Sequence, residues 1–133
     1  MNSIGALLYR IAAIEADWLY VDALEGRPFP PEIEALFPDD VRNDQGQLSS
    51  AHGASLAAHL QRLDAVRAVL LAEFRELSLA DFYRLRDLPD YTVTPEWVLH
   101  HLMQHEAEHR GEIGMLRVLA DQRNGEAGSS GAT

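Results

Sequence analysis

Apolar residues recur every three or four positions in three long segments of the chain, which is the spacing of amphipathic helices. The first segment follows Ser3, a suitable N-cap, and ends near Gly26. The second covers residues 55–77. The third opens with Thr94 as N-cap and Pro95 in the first turn, where the missing N–H of proline costs no hydrogen bond. No strand pattern is visible, so the spacing predicts an all-α helical bundle with three long helices and short ones between them.

The stretches between the long helices are rich in residues that form loops. Four prolines exclude a long helix from residues 27–53, although residues 31–37 allow a short one. Ser78 is expected to cap a further short helix, and residues 87–93 connect it to the last long helix. A loop as long as residues 27–53 usually covers another part of a small domain or carries function.

Length and charge limit the class of protein. A chain of 133 residues holds one domain, which we place at residues 1–122. Residues 123–133 are mostly small and polar, so they are expected to form a flexible tail. The formal net charge of −10 argues against nucleic acid and anionic membranes as partners. The sequence shows neither a signal peptide nor an apolar stretch of membrane-spanning length, so we expect a cytoplasmic protein.

Two absences from the composition restrict the chemistry. The chain contains no cysteine, which excludes disulfides, thiolate nucleophiles and cysteine metal ligands. All eleven basic residues are arginine, which excludes lysine bases and Schiff-base chemistry. Any thiol chemistry would therefore need a thiol supplied by a co-substrate.

Two histidines in the last helix are the main candidates for a functional site. His105 and His109 are four residues apart, so their side chains lie next to each other on one helix face and could bind a single metal ion. Both belong to the apolar stripe of the helix, which comprises Val98, Leu102, His105, His109, Ile113, Leu116 and Ala120. The same pattern also fits two histidines that are hydrogen-bonded to neighbours at the edge of the core, and the spacing leaves both interpretations open.

The segment around these histidines resembles a family motif. Residues 105–112, His-Glu-Ala-Glu-His-Arg-Gly-Glu, are similar to the His-x-x-x-His-Arg-Gly-Gln-like motif in the last helix of the DinB-like (DinB/YfiT) superfamily. Residues 4–18 resemble the second helix of that family, which typically shows a glycine, two leucines and a histidine, followed by a glutamate and a tryptophan. Residues 91–94 fit as well, so the resemblance covers nearly all of the chain before the tail.

The resemblance implies a four-helix bundle that holds a divalent metal on three histidines. Two of these would be His105 and His109, and the family takes the third from its second helix. For this chain the metal would be zinc or nickel. Some relatives are hydrolase-like proteins, and others are thiol-dependent transferases or isomerases. The resemblance therefore implies a metal-dependent hydrolase or a thiol S-transferase or isomerase that takes a small-molecule or thiol co-substrate.

The chain departs from the family pattern in two ways. Arg10 stands where the third metal ligand belongs, and a guanidinium has no lone pair to offer a metal. We therefore expect a weakened site. The resemblance also implies that the first helix of the family has no counterpart here, and we expect this to expose the apolar groove that the helix fills. We expect a homodimer whose partner covers a face between the first and last helices, including Leu7, Ile11, Ile14, Leu102 and Leu116.

Other residues are weaker candidates for completing the site. His101 and His109 are eight residues apart, about 12 Å along a helix, so they cannot share one ion together with His105. Glu15 lies near the expected ligand position and could supply a carboxylate. The alternative to a metalloenzyme is a non-catalytic bundle that acts through oligomerisation, in which Arg10 pairs with Glu106 or Glu112. The remaining histidines are expected outside the site: His52 in solvent, His59 at the surface or rim, and His100 pointing away from His105.

Overall fold

A computed structural model describes residues 2–39 and 53–130 as a helical bundle. The helices are α1 (Ile4–Asp17), which continues as a π-helix (Trp18–Ala23), then α2 (Pro31–Glu34), α3 (Leu56–Glu76), α4 (Leu79–Tyr83) and α5 (Pro95–Ser130). Two short strands, β1 (Arg86–Asp87) and β2 (Thr92–Val93), precede α5. The prediction of an all-α bundle with three long helices is therefore confirmed.

Side-chain caps begin four of the helices at the positions that the sequence predicts. The hydroxyl oxygens of Ser3, Ser55, Ser78 and Thr94 each accept a hydrogen bond, at 3.0–3.1 Å, from the backbone N–H three residues later. Each cap satisfies a donor that has no partner within its own helix. Local sequence therefore fixes where α1, α3, α4 and α5 begin.

The core forms where α1 and its π-helical continuation pack against α3, α5 and the segment around α2. Ala12 and Ala16 of α1 contact Val66 of α3, and the small alanine side chains let the two helices approach closely. Leu19 and Tyr20 of the π-helix pack in a second cluster with Ile33 and Leu70. Both α3 and α5 pack mainly on α1, which leaves a groove between them.

The strand pair is a local exception to the sequence prediction, in which no strand pattern was visible. Arg86 pairs with Val93 and Asp87 with Thr92 in antiparallel register, and the N–H of Leu88 donates to the carbonyl of Tyr91 at 3.0 Å. Strands of two residues are too short to show an alternating pattern. The hairpin matters for the site because it places Tyr91 beside the π-helix.

Helix α5 is 36 residues long and carries the predicted stripe along its first half. Val98 is fully buried, and Leu102, Ile113 and Leu116 are partly buried as expected. Ala120 is exposed, contrary to the prediction. The helix continues past Gln122 as far as Ser130, and the domain boundary at residue 122 stays a prediction. In the described ranges, no helix combines the length and the apolarity needed to cross a bilayer.

Candidate metal centre

The structure brings the two candidate histidines together on the inner face of α5. The Nε2 atoms of His105 and His109 are 3.1 Å apart, and the ring centroids are 4.5 Å apart with the rings nearly perpendicular. Only 11% of the His109 side chain is exposed, and His105 is also partly buried. The geometry follows from helix periodicity: Val98, two turns earlier on the same face, is fully buried and sets the rotation of α5.

A carboxylate orients the pair. Glu112 Oε1 lies 2.8 Å from Nδ1 of His109, one turn further along α5. When His109 donates its Nδ1–H to Glu112, its Nε2 carries the lone pair and points at His105. A carboxylate on the far nitrogen is the usual device that fixes a metal-binding histidine in this tautomer.

The environment keeps His105 uncharged. Burial above all, together with the electrostatic influence of His109 and Arg10, lowers the pKa of His105 to about 4. An imidazole with this pKa is neutral at neutral pH, so its lone pair is available to accept a hydrogen bond or bind a cation. The charge of Arg10 acts on His105, and its place at the third-ligand position stays a prediction.

His105 and His109 are placed to form two bonds to one metal ion, but the described residues supply no third ligand. Two imidazole nitrogens bound to one tetrahedral ion, with bonds of about 2.0–2.1 Å, lie about 3.3 Å apart. The observed separation of 3.1 Å is close to that value. Within residues 2–39 and 53–130, however, no group of three or more histidine, aspartate or glutamate side chains is arranged to hold an ion. The guanidinium of Arg10 adds positive charge instead of a third ligand.

The carboxylate suggested as a third ligand is engaged elsewhere. Glu15 is only 3% exposed, and it receives two hydrogen bonds from Arg67, at 2.6 Å from Nε and 3.1 Å from Nη2. Nη2 of Arg67 also donates to Glu106 at 2.7 Å, so one guanidinium joins α1, α3 and α5. Sequence analysis missed Arg67, because it lies beside the apolar stripe of α3 and is 52 residues from Glu15.

Three of the other four histidines lie in the described residues, and their environments differ. His100 is exposed, as expected, and His52 lies outside the described residues. His59 is buried, which contradicts the prediction of a surface or rim position. It fits into the core because Gly5 leaves room: a Cβ on Gly5 would lie 3.0 Å from Nε2 of His59. His101 stacks on Trp97, with centroids 4.9 Å apart and the rings 8° from parallel.

A cavity lined mainly by aromatic and apolar residues lies beside His101. Its volume is about 510 Å³, and it is lined by Trp18, Leu85, Tyr91, Thr92, Val93, Thr94 and Trp97. The hydroxyl of Tyr91 donates a short hydrogen bond to the buried carboxylate of Asp22. No sequence pattern indicated that Trp18 and Trp97 share a cavity with Tyr91.

Together, the fold and the site define a small all-α protein with a histidine pair at metal-ligand spacing on its last helix. The family model of the DinB superfamily matches residues 1–113, which include α1, α3 and the segment from His105 to Glu112. The chain therefore belongs to the DinB superfamily, whose members are generally metal-binding helical proteins. No curated protein and no solved structure matches the chain.

Proposed function

We propose that this DinB-superfamily protein binds one divalent cation, zinc or nickel, through Nε2 of His105 and His109. The observation that carries the proposal is the separation of 3.1 Å between these two nitrogens, which suits two bonds to one ion. The contact between His109 and Glu112 supports it, because it leaves the Nε2 lone pair of His109 directed at the site.

Binding at this pair is weak. Two protein ligands supply less binding energy than three, and the positive charge of Arg10 opposes a cation at the same place. A structural zinc site would need four protein ligands, whereas a catalytic site keeps open positions. The open positions on the bound ion would take water or a thiol and lower its pKa, which is the chemistry of a hydrolase or a thiol S-transferase.

The surrounding residues fit this use of the site. Arg10 can attract an anionic group of a substrate, because its charge acts at the histidine pair. Of the three nearby glutamates on α5, Glu106 is held by Arg67 and Glu108 is exposed, whereas Glu112 contacts a site histidine. Glu112 is therefore the glutamate best placed to hold or move a proton at Nδ1 of His109.

Calorimetric titration of chelator-treated protein with zinc and with nickel tests the proposal. Wild-type protein should bind one ion weakly, and His105→Ala or His109→Ala should abolish binding. His100→Ala is the matched control, because it removes an exposed histidine from the same helix and should leave the affinity unchanged. Full binding by His105→Ala, or an equal loss in His100→Ala, would place the ion elsewhere and refute the proposal.

A second candidate function, association through the bundle surface, is favoured by the groove between α3 and α5. Leu60, Leu71 and Met103 line this groove and are 44–65% exposed. The face that the sequence suggested for a homodimer is not open as a whole, since Leu7 is fully buried within the same chain, and only its members Ile11 and Leu102 line this groove. We propose that a second copy covers the groove between α3 and α5 instead.

Light scattering can test this second function. Met103→Glu introduces a charge into the groove and should shift the protein from dimer to monomer. Leu79→Glu introduces the same charge at a residue of α4 that is 71% exposed, and should leave the mass unchanged. A wild-type protein that is monomeric at high concentration would eliminate this candidate.

A further inference from the structure

Three aromatic rings from three separate elements face the cavity of about 510 Å³. Trp18 comes from the π-helix, Tyr91 from the hairpin and Trp97 from the first turn of α5. The Trp18 ring lies 5.3 Å from Trp97 and 6.0 Å from Tyr91, at interplanar angles of 50° and 42°. Rings tilted in this way present several π faces to one volume, which is the arrangement of an aromatic cage.

Stacking supports this cage from the side of α5. His101 does not line the cavity, but its ring is parallel to Trp97 and lies 4.7 Å from Trp18. It therefore holds both indoles, even though Trp97 is 45% exposed. The rings are in this way positioned before any ligand arrives, which lowers the cost of binding.

Three acidic residues, Asp22, Asp17 and Asp90, lie near Tyr91 of the cage. Asp22 is 2% exposed and accepts the hydrogen bond of the Tyr91 hydroxyl. This hydrogen bond to Asp22, then burial, and then the charges of Asp22, Asp17 and Asp90 raise the pKa of Tyr91 to about 12, so the phenol stays neutral. A phenol that donates to a carboxylate has a more electron-rich ring, which strengthens its attraction for a cation. None of the residues that line the cavity is basic.

We propose that this cavity binds an organic cation through a quaternary or N-methylated ammonium group held against Trp18, Tyr91 and Trp97. The cage favours a positive charge with an apolar surface, and the remaining volume accommodates the apolar body of the ligand. A bare metal ion is disfavoured, because the lining offers mostly apolar and aromatic surface. The site shares no residue with the histidine pair, so the proposal stands independently of metal binding.

Tryptophan fluorescence can report on ligand binding at this site. The chain contains two tryptophans, and both line the cavity, so tryptophan fluorescence reports on the cage alone. The probe is choline, and the comparison ligand is 3,3-dimethylbutan-1-ol, which has the same shape without the charge. Choline should change the fluorescence saturably, and the neutral alcohol should bind at least about tenfold more weakly. Equal affinity for the two probes would overturn the proposal.

Variants separate the cage from general effects on the fold. Trp97→Leu keeps Trp18 as reporter and should weaken choline binding about two- to fivefold while reducing the preference over the alcohol, as expected for one partly exposed cation–π partner. Asp22→Asn keeps an acceptor for Tyr91 but removes the charge, and should also weaken choline binding. The matched control is Asp64→Asn, which removes the same charge from the exposed surface of α3.

Two results would contradict the proposal in these variants. The first is unchanged selectivity in Trp97→Leu, a substitution that removes neither partner of the hydrogen bond between Tyr91 and Asp22. The second is an equal effect of Asp22→Asn and Asp64→Asn, which would mean that only net charge matters. Choline binding should also persist in His105→Ala and after chelator treatment. Loss of binding in both would tie the cavity to the metal centre and refute an independent site.

Discussion

Arg67 should contribute more to stability than any exposed ion pair of this chain. Its guanidinium joins the buried carboxylate of Glu15 to Glu106 across the groove between α3 and α5. Arg67→Met keeps the length of the side chain and most of its apolar contact, but leaves the Glu15 carboxylate without the two hydrogen bonds from Arg67. Arg67→Met therefore measures how much the free energy of unfolding falls when a buried carboxylate loses its arginine partner.

The size of the effect follows from burial. Removing one partner of a fully buried ion pair costs about 3–5 kcal/mol. The Glu15 side chain is 4% exposed but Arg67 is 46% exposed, so solvent screens part of the interaction, and we expect a loss of about 2 kcal/mol. For a domain of this size, that loss corresponds to a fall in melting temperature of about 6–10 °C.

Denaturant unfolding monitored by circular dichroism measures the loss. The control is Arg84→Met, because Arg84 also pairs with two carboxylates, Glu25 and Asp81, but all three side chains are about half exposed. The control should lose far less stability. Adding Glu15→Gln to Arg67→Met should restore part of the loss, since it removes the buried charge. Equal destabilisation by Arg67→Met and Arg84→Met would refute the reasoning.

Four further predictions concern the histidine pair and the glycines. Arg10→His should raise zinc affinity sharply in calorimetric titration, because it replaces a repelling charge with a third imidazole, and equal affinities would show that Arg10 does not face the pair. In metal-free protein, the free energy of unfolding should fall by about 1–2 kcal/mol, after solvent screening, as the pH falls from about 6.5 to 4, because the pKa of His105 is lowered in the folded state. Denaturation curves of His105→Gln should not show this pH dependence. Gly111→Ala should stabilise α5 by about 0.5–1 kcal/mol in thermal melts, because within the described residues no atom beyond its chain neighbours and the backbone of α5 lies within 4 Å of the added Cβ. Gly5→Ala should gain less or lose stability, because its Cβ would press on His59.

Gly111 stands next to the histidine motif, and within the described residues nothing outside its own helix lies within 4 Å of the position of its Cβ. The contact that needs a glycine is at Gly5, where His59 of α3 packs against α1. Nothing in the sequence linked these two residues, because they are far apart along the chain.

The sequence by itself determined the local features of the protein. The starts of the helices followed from capping side chains such as Ser3 and Thr94, which interact with a backbone group three residues away. The proximity of His105 and His109 followed from the helical repeat. Arg10 was identified from the family resemblance, and its place at the third-ligand position stays a prediction. Each of these features, apart from the resemblance, depends on residues within about one turn of each other.

Only the tertiary structure decided which side chains from different elements meet. The burial of Glu15 against Arg67, the burial of His59 beside Gly5, and the cavity between Trp18 and Trp97 depend on how each helix is rotated and placed against its neighbours. Those rotations result from the packing of the whole core, in which many small contacts act together. No short-range pattern encodes them, so periodicity and capping predicted the helices and the histidine pair but not the ion pair or the aromatic cavity.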